Sequence, residues 1–136
     1  MNQKLVSVCI NSYNSEKFIL QTINSVINQT YKNLQIIIVD DCSTDKTVEL
    51  IKTIDDERIE FYSTPKNIHI SSAYNESLKY VKGDYVARLD ADDLWAKDKI
   101  EKQVEFLEKN TEYGACFTQA EVIDQHGNIT NDEEAE

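Results

Sequence analysis

Apolar and polar positions along this chain follow two rhythms. Residues 5–10 form a near-continuous apolar run broken only by Ser7, long enough for a strand and too short for a helix. The run stops at Asn11-Ser12-Tyr13-Asn14, where Asn14 or Ser15 is placed to cap a helix. Beyond it Ile19, Leu20, Ile23, Val26 and Ile27 recur at three- and four-residue steps, which gives a helix with one apolar face. Residues 34–39 are apolar almost throughout, as suits a strand covered on both sides in a parallel sheet. They end in Asp40-Asp41-Cys42-Ser43-Thr44-Asp45, with Ser43 or Thr44 placed to cap a second helix whose inward residues are Val48, Leu50, Ile51 and Ile54. A third, shorter strand is expected over 58–62. A third helix is expected to open at Ser71 or Ser72 and to stop at Gly83. Residues 85–89 read as a fourth strand, 97–109 as an amphipathic helix through Ile100, Val104 and Leu107, and 115–123 as a fifth strand followed by a turn at Gln125-His126-Gly127-Asn128.

Strands alternating with helices imply right-handed crossovers and an α/β fold, a Rossmann-like, mostly parallel sheet flanked by helices. The 136 residues suffice for one domain, expected over 1–131, with 132–136 as a solvated acidic tail. Composition narrows the partners. Asp and Glu number 25 against 14 Lys and Arg, a net charge of −11, which argues against nucleic acid and anionic membrane surfaces as general partners. Cys9, Cys42 and Cys116 are widely spaced, with no Cys-x-x-Cys and no His cluster, so a zinc site is not expected; Cys9 and Cys116 read as buried thiols. The start carries no signal-peptide pattern and no apolar run reaches membrane-spanning length. The expected location is cytoplasmic, with peripheral attachment at the inner face of the membrane through a region outside this chain left open.

Chemistry gathers where the strands end. In open parallel sheets, ligands bind beyond the carboxyl ends of the strands. The first strand ends in Asn11-Ser12-Tyr13-Asn14, the second in Asp40-Asp41 and the fourth in Asp90-Ala91-Asp92-Asp93. Each group alone is explained by turns and caps. Three at one edge of one sheet suggest a site. Carboxylates crowded at Asp90, Asp92 and Asp93 suit Mg²⁺ or Mn²⁺, Tyr13 offers a ring to stack on a base, and Asp41 accepts a base N–H. No Gly-x-Gly-x-x-Gly or Gly-Lys-Ser/Thr loop is present, which counts against dinucleotide and P-loop sites.

The segments Val6-Ser7-Val8-Cys9-Ile10-Asn11-Ser12-Tyr13-Asn14, Ser25-Val26-Ile27-Asn28-Gln29-Thr30-Tyr31, Ile38-Val39-Asp40-Asp41-Cys42-Ser43-Thr44-Asp45 and Gly83-Asp84-Tyr85 through Leu89-Asp90-Ala91-Asp92-Asp93 together resemble family 2 glycosyltransferases, inverting enzymes of the GT-A fold that use nucleotide sugars. The resemblance covers nearly the whole chain. It implies that Asn11 and Tyr13 hold the base, that Asp41 bonds it with Asp40 alongside, that Asp92 lies near the ribose, and that Asn67 and Asn75 support the nucleotide. Asp93 is implied as the main ligand of Mn²⁺ or Mg²⁺, with Asp92 and Asp90 in the same acidic motif. Asn11 stands where the family usually has proline, His69 where it has glycine, and Tyr74 where arginine is common.

The implied function is transfer of a sugar, with inversion, from a nucleotide sugar (a UDP-sugar first) to a saccharide or lipid-linked acceptor. The family's general base lies past the metal motif, beyond Glu136; Glu121 and Asp124 are the nearest carboxylates. The chain is therefore expected to be the donor-binding half of a longer enzyme, with its C-terminal part missing and an exposed edge open to self-association. Two rivals share the α/β style. A receiver-like Mg²⁺-binding signalling domain would need a late-strand lysine near the acidic cluster. A nucleotidyltransferase would usually carry a basic, Gly-rich first loop where this chain has Asn11-Ser12-Tyr13-Asn14.

Overall fold

The computed structural model describes residues 3–130. By contacts the chain divides into two compact units, 1–104 and 105–136, where the sequence groups 1–131 as one domain; the expected tail at 132–136 lies outside the described residues.

The first unit is built on a parallel sheet of four strands in the order β3-β2-β1-β4. These are β1 (Val6–Ser12), β2 (Leu34–Asp40), β3 (Ile59–Ser63) and β4 (Tyr85–Asp90). Between them run α1 (Ile19–Ile27), α2 (Thr47–Ile51) and α3 (His69–Leu78), and α4 (Lys99–Lys109) follows β4. Every residue of β2 is buried, and all of β1 but Asn11, because both strands are central and covered on both faces. On one face Val8, Ile10, Ile36 and Ile38 pack with Ile19, Ile23 and Val26 of α1 and with Ile100 of α4. On the other, Cys9, Ile37 and Val39 pack with Ala73 of α3. Burial of Cys9 pushes its thiol pKa up, opposed by a hydrogen bond with Ser77.

Two polar residues inside these strands have a structural cause. Ser7 and Gln35 are buried, and the Ser7 hydroxyl donates to Gln35 Oε1. Ser7 Oγ in turn accepts the Gly83 N–H at 2.9 Å, and Gln35 Nε2 donates to the Tyr80 carbonyl at 2.9 Å. The network ties the α3–β4 connection to the strand starts, at the opposite edge from the acidic turn.

Several local expectations change. α3 begins at His69 and ends at Leu78, so Gly83 does not stop the helix; a Cβ there would meet Ser7 N at 2.7 Å and the Leu5 carbonyl at 2.8 Å, and close approach of backbone is what requires glycine. Neither Ser43 nor Thr44 caps α2: Lys46 stands at its N-cap without a side-chain bond, and Asp45 Oδ1 just before it accepts the Thr47 N–H at 2.9 Å. In the second unit, 115–122 form no strand and Phe117 is 95% exposed, because no neighbouring strand offers a ladder to this apolar run. Cys116 is only half-buried. The turn after it forms as expected: Asp124 Oδ1 accepts from the His126 and Asn128 N–H groups, and Ile123 bridges Ile129 antiparallel. Among the described residues no helix is long and apolar enough to cross a membrane.

The backbone clash makes Gly83→Ala an overpacking change with no flexible neighbour to yield. It should lower stability by about 2–3 kcal/mol. Urea unfolding of the two proteins measures this, and a loss within experimental error would mean that the connection shifts freely.

Candidate functional site

Register places the three strand ends side by side. Ser12 pairs with Asp40, and Asn11 pairs with Val39 on one side and Asp90 on the other. Beyond them opens a cavity of about 410 Å³ lined by Asn11, Tyr13, Asp41, Asp90 and Asp92, together with Ser12, Ser15, Asn67, Ala91 and, from α3, His69, Ile70 and Ala73.

Asp40 and Asp41 have different surroundings. Asp40 is 1% exposed. Its Oδ1 accepts from the Ser12 hydroxyl at 3.0 Å and the Ser43 hydroxyl at 2.6 Å, and its Oδ2 accepts the Ser43 N–H at 2.9 Å. Such a carboxylate is occupied by the fold, and it is absent from the cavity lining. Asp41 is held through one oxygen: Oδ1 accepts from Thr64 Oγ1 at 2.9 Å and from the Ile68 N–H at 2.8 Å. Oδ2 is thus the oxygen with acceptor capacity to spare. Asn67 Nδ2 reaches the Asp41 carbonyl at 3.4 Å, so the loop before α3 is fastened to the end of β2.

Tyr13 stands at the rim, 51% exposed. Its loop is laced to the loop after β2: the Asn14 N–H donates to Ser43 Oγ at 2.9 Å, the Thr44 N–H to Asn14 Oδ1 at 2.8 Å, and the Ser15 N–H to Thr47 Oγ1 at 2.7 Å. Asn11 Oδ1 is buried with no hydrogen-bond partner, a cost of about 1–3 kcal/mol in general and a sign of a position kept for something other than stability. The three non-glycine residues with left-handed backbone among those described, Asn14, Cys42 and His69, all lie in the loops around this cavity.

The acidic turn is held from α1 and from Gln29 just beyond it. Thr22 Oγ1 donates to the Ala91 carbonyl at 2.9 Å, the Trp95 N–H donates to Ser25 Oγ at 3.2 Å, and Gln29 Nε2 donates to the Ala96 carbonyl at 2.7 Å. The Asp93 N–H closes the turn on the Asp90 carbonyl at 3.1 Å. Arg88 Nη2 lies 3.0 Å from Asp90 Oδ1, and its guanidinium sits 5.3 Å from the centre of the Tyr74 ring. Partial burial, then the charges of Asp92 and Asp90, raises the Asp93 pKa.

Asp93 and Asn75 are not in the cavity lining; Asn75 is exposed, two residues from the buried Ala73 and so on another side of α3. Among the described residues, no three carboxylate, His or Cys side chains converge on one point. The donor set nevertheless fits a hard divalent cation, which is commonly held by one or two carboxylates while phosphate and water complete its shell. Partial burial first, and the neighbouring Asp92 and Asp90 second, disfavour the charge on Asp93, and a bound cation would relieve that cost. Asp124 is engaged in its own turn, where Asn128 chiefly holds its pKa down.

The model of the family described as "Glycosyl transferase family 2" matches residues 7–135. The chain belongs to that family. Over 105 residues this family 2 chain is 44% identical to the UDP-Glc:alpha-D-GlcNAc-diphosphoundecaprenol beta-1,3-glucosyltransferase WfaP of Escherichia coli, covering 77% of the chain and 42% of that protein. Its fold is of GT-A type. It superimposes on the crystal structure of S. aureus TarS 1-349 in complex with UDP with a TM-score of 0.74 at 27% identity, over 78% of the chain and 32% of that 1-349 chain. The mannosyltransferase PcManGT from Pyrobaculum calidifontis, in complex with GDP-Man and Mn2+, gives a TM-score of 0.70 at 28% identity, over 75% and 32%. The chain thus spans less than half the length of these relatives.

The lining residues that the sequence does not assign to the site, Ser12, Ser15, His69, Ile70, Ala73 and Ala91, follow from geometry. Ser12 and Ser15 flank Tyr13, and Ile70 and Ala73 continue the His69 side of α3.

The raised Asp93 pKa has a consequence for stability. The folded protein binds this proton more tightly than the unfolded chain, so ionised Asp93 is destabilising at neutral pH and its penalty fades as pH falls into the ordinary carboxylate range. Asp93→Asn should therefore raise Tm at pH 7, with the gain shrinking toward about pH 4. Thermal melts across that range test it; a Tm difference independent of pH would mean that the charge is not the cause.

Proposed function

We propose that the chain is the donor- and metal-binding portion of a glycosyltransferase that moves a sugar, with inversion, from a nucleoside diphosphate sugar to a saccharide or lipid-linked acceptor. The observation that carries this reading is that Tyr13, Asp41 and Asp92, drawn from the ends of three strands, line one cavity in a family 2 chain. Tyr13 stacks on the base, Asp41 accepts a base N–H through Oδ2, and Asn11 and Asp92 complete the nucleoside contacts. Asp93 and Asp92, with Asp90, hold Mn²⁺ or Mg²⁺. When bound, the cation offsets charge on the diphosphate leaving group. The UDP of the TarS complex and the lipid-linked acceptor in the WfaP name support a UDP-sugar and a lipid-linked acceptor. The GDP-Man and Mn2+ of PcManGT support the metal and keep guanosine as the alternative base.

Calorimetry with UDP, GDP and dTDP, each with and without Mn²⁺, tests the reading. UDP should bind best, and only weakly without the cation. Asp93→Ala should lower the Mn²⁺-dependent affinity at least about tenfold. Tyr13→Ala should cost about 1–3 kcal/mol with or without metal, as loss of a stacking face does. A chain that binds no nucleotide, or an Asp93→Ala protein that retains full metal dependence, would overturn the assignment.

A further inference from the structure

One basic side chain lines the cavity: His69. Its other lining residues with side-chain charge are carboxylates, Asp41, Asp90 and Asp92, which accept hydrogen bonds and donate none when ionised. His69 has left-handed backbone, φ 66°, a conformation that glycine adopts without cost. Its N–H donates to Asn67 Oδ1 at 3.2 Å, which closes the loop before α3. The imidazole makes no such bond, and it stands one residue along the chain from Ile68, whose N–H is bonded to Asp41. Either neutral tautomer of the ring keeps one N–H donor.

We infer that His69 is a specificity-determining residue that completes, with Asp41, a reader of the base edge. This rests on the nucleotide-site reading above and deepens it. Asp41 supplies an acceptor and His69 supplies a donor beside it. Uracil stacked on Tyr13 presents a ring N–H with a carbonyl next to it, which matches both groups. Guanine presents the same N–H and carbonyl pair on its own edge. Cytosine in the same pose presents a bare ring nitrogen and an amino group, so it opposes an acceptor with a lone pair and a donor with an N–H. Adenine repeats that mismatch. The pair thus selects bases whose ring nitrogen is protonated beside a carbonyl. A hydrogen-bonding site rejects the wrong pattern strongly where its polar group is buried, as Asp41 is, and the exposed His69 adds to the selection by pairing with the carbonyl.

His69→Gly separates this role from folding, since glycine suits the backbone at 69 and no bond of the imidazole is lost from the fold. Calorimetry on the wild-type chain and His69→Gly, with UDP and CDP in the presence of Mn²⁺, makes the test, with thermal melts of both proteins alongside. Wild type should bind UDP at least about tenfold more tightly than CDP. His69→Gly should melt no lower than wild type, lose about 5- to 10-fold in UDP affinity, and lose little or nothing for CDP, so that the ratio between them collapses. Unchanged UDP binding, or an equal loss for UDP and CDP, would overturn the role of His69 while leaving the nucleotide site standing. Failure of the wild-type chain to bind any nucleotide would overturn both readings.

Discussion

The site depends first on a carboxylate that does not line it. Asp40 is buried at the end of β2, and a buried charge persists only where hydrogen bonds replace its water. Ser12 supplies one from β1, and Ser43 supplies two from the loop that follows β2. The two central strand ends are thereby locked in register, and the loop is folded back by the left-handed Cys42. The chain continues the ladder one step further, with the Asp41 N–H on the Ser12 carbonyl at 2.8 Å. This places Asp41 beyond the sheet, where Thr64 and Ile68 fix one of its oxygens. Of two adjacent aspartates, the first is spent on architecture, and the second is aimed by it.

A second constraint lies in α1. Its apolar residues Ile19, Ile23 and Val26 belong to the core, while Thr22 and Ser25, with Gln29 just past the end of the helix, form a polar stripe beside them. That stripe bonds the backbone of the segment that carries Asp90, Asp92 and Asp93 into α4. Crowded carboxylates repel one another, so a free turn would spread them. Buried Thr22 and Gln29 supply bonds that oppose the spreading, and Arg88 offsets charge only at Asp90. The same helix therefore builds the core and restrains the charges at the edge of the sheet.

How much of this was legible in the sequence varied with the kind of signal. The unbroken run 36–39 can hardly be anything but a buried parallel strand, and β1, β2, β4 and α1 lie close to where their periodicity puts them. The three strand ends could be assigned to one edge because parallel topology requires it. The division of labour between Asp40 and Asp41 could not, because both are aspartates and only the Ser12, Ser43 and Thr64 contacts separate them. The apolar run at 115–122 carries a strand pattern, yet a pattern forms a strand only when a partner strand is in reach. Gly83 resembles a helix stop in sequence; its real cause, the backbone of residues 5 and 7, lies about 76 residues away in the chain. The polar stripe along and just past α1 was hidden for the same reason, since Thr22, Ser25 and Gln29 look like solvent-facing positions until the acidic turn is laid against them.

The electrostatics of the cavity then constrain how it is filled. Asp41, Asp90 and Asp92 line it, with His69 as the one basic residue of the lining. A diphosphate approaching alone would meet carboxylates of its own sign, and desolvation on entry would strengthen the repulsion. A cation held at the acidic turn reverses that sign locally. In the proposed reading, cation and nucleotide therefore favour each other's binding, and the coupling is reciprocal by linkage. In the same reading, stacking on Tyr13 and a hydrogen bond to Asp41 would not involve the phosphates, so they would select the nucleoside whether or not the cation is present. The proposed reading thus divides the work among neighbouring strand ends: base selection would fall to β1, β2 and the start of α3, and charge compensation to the turn after β4.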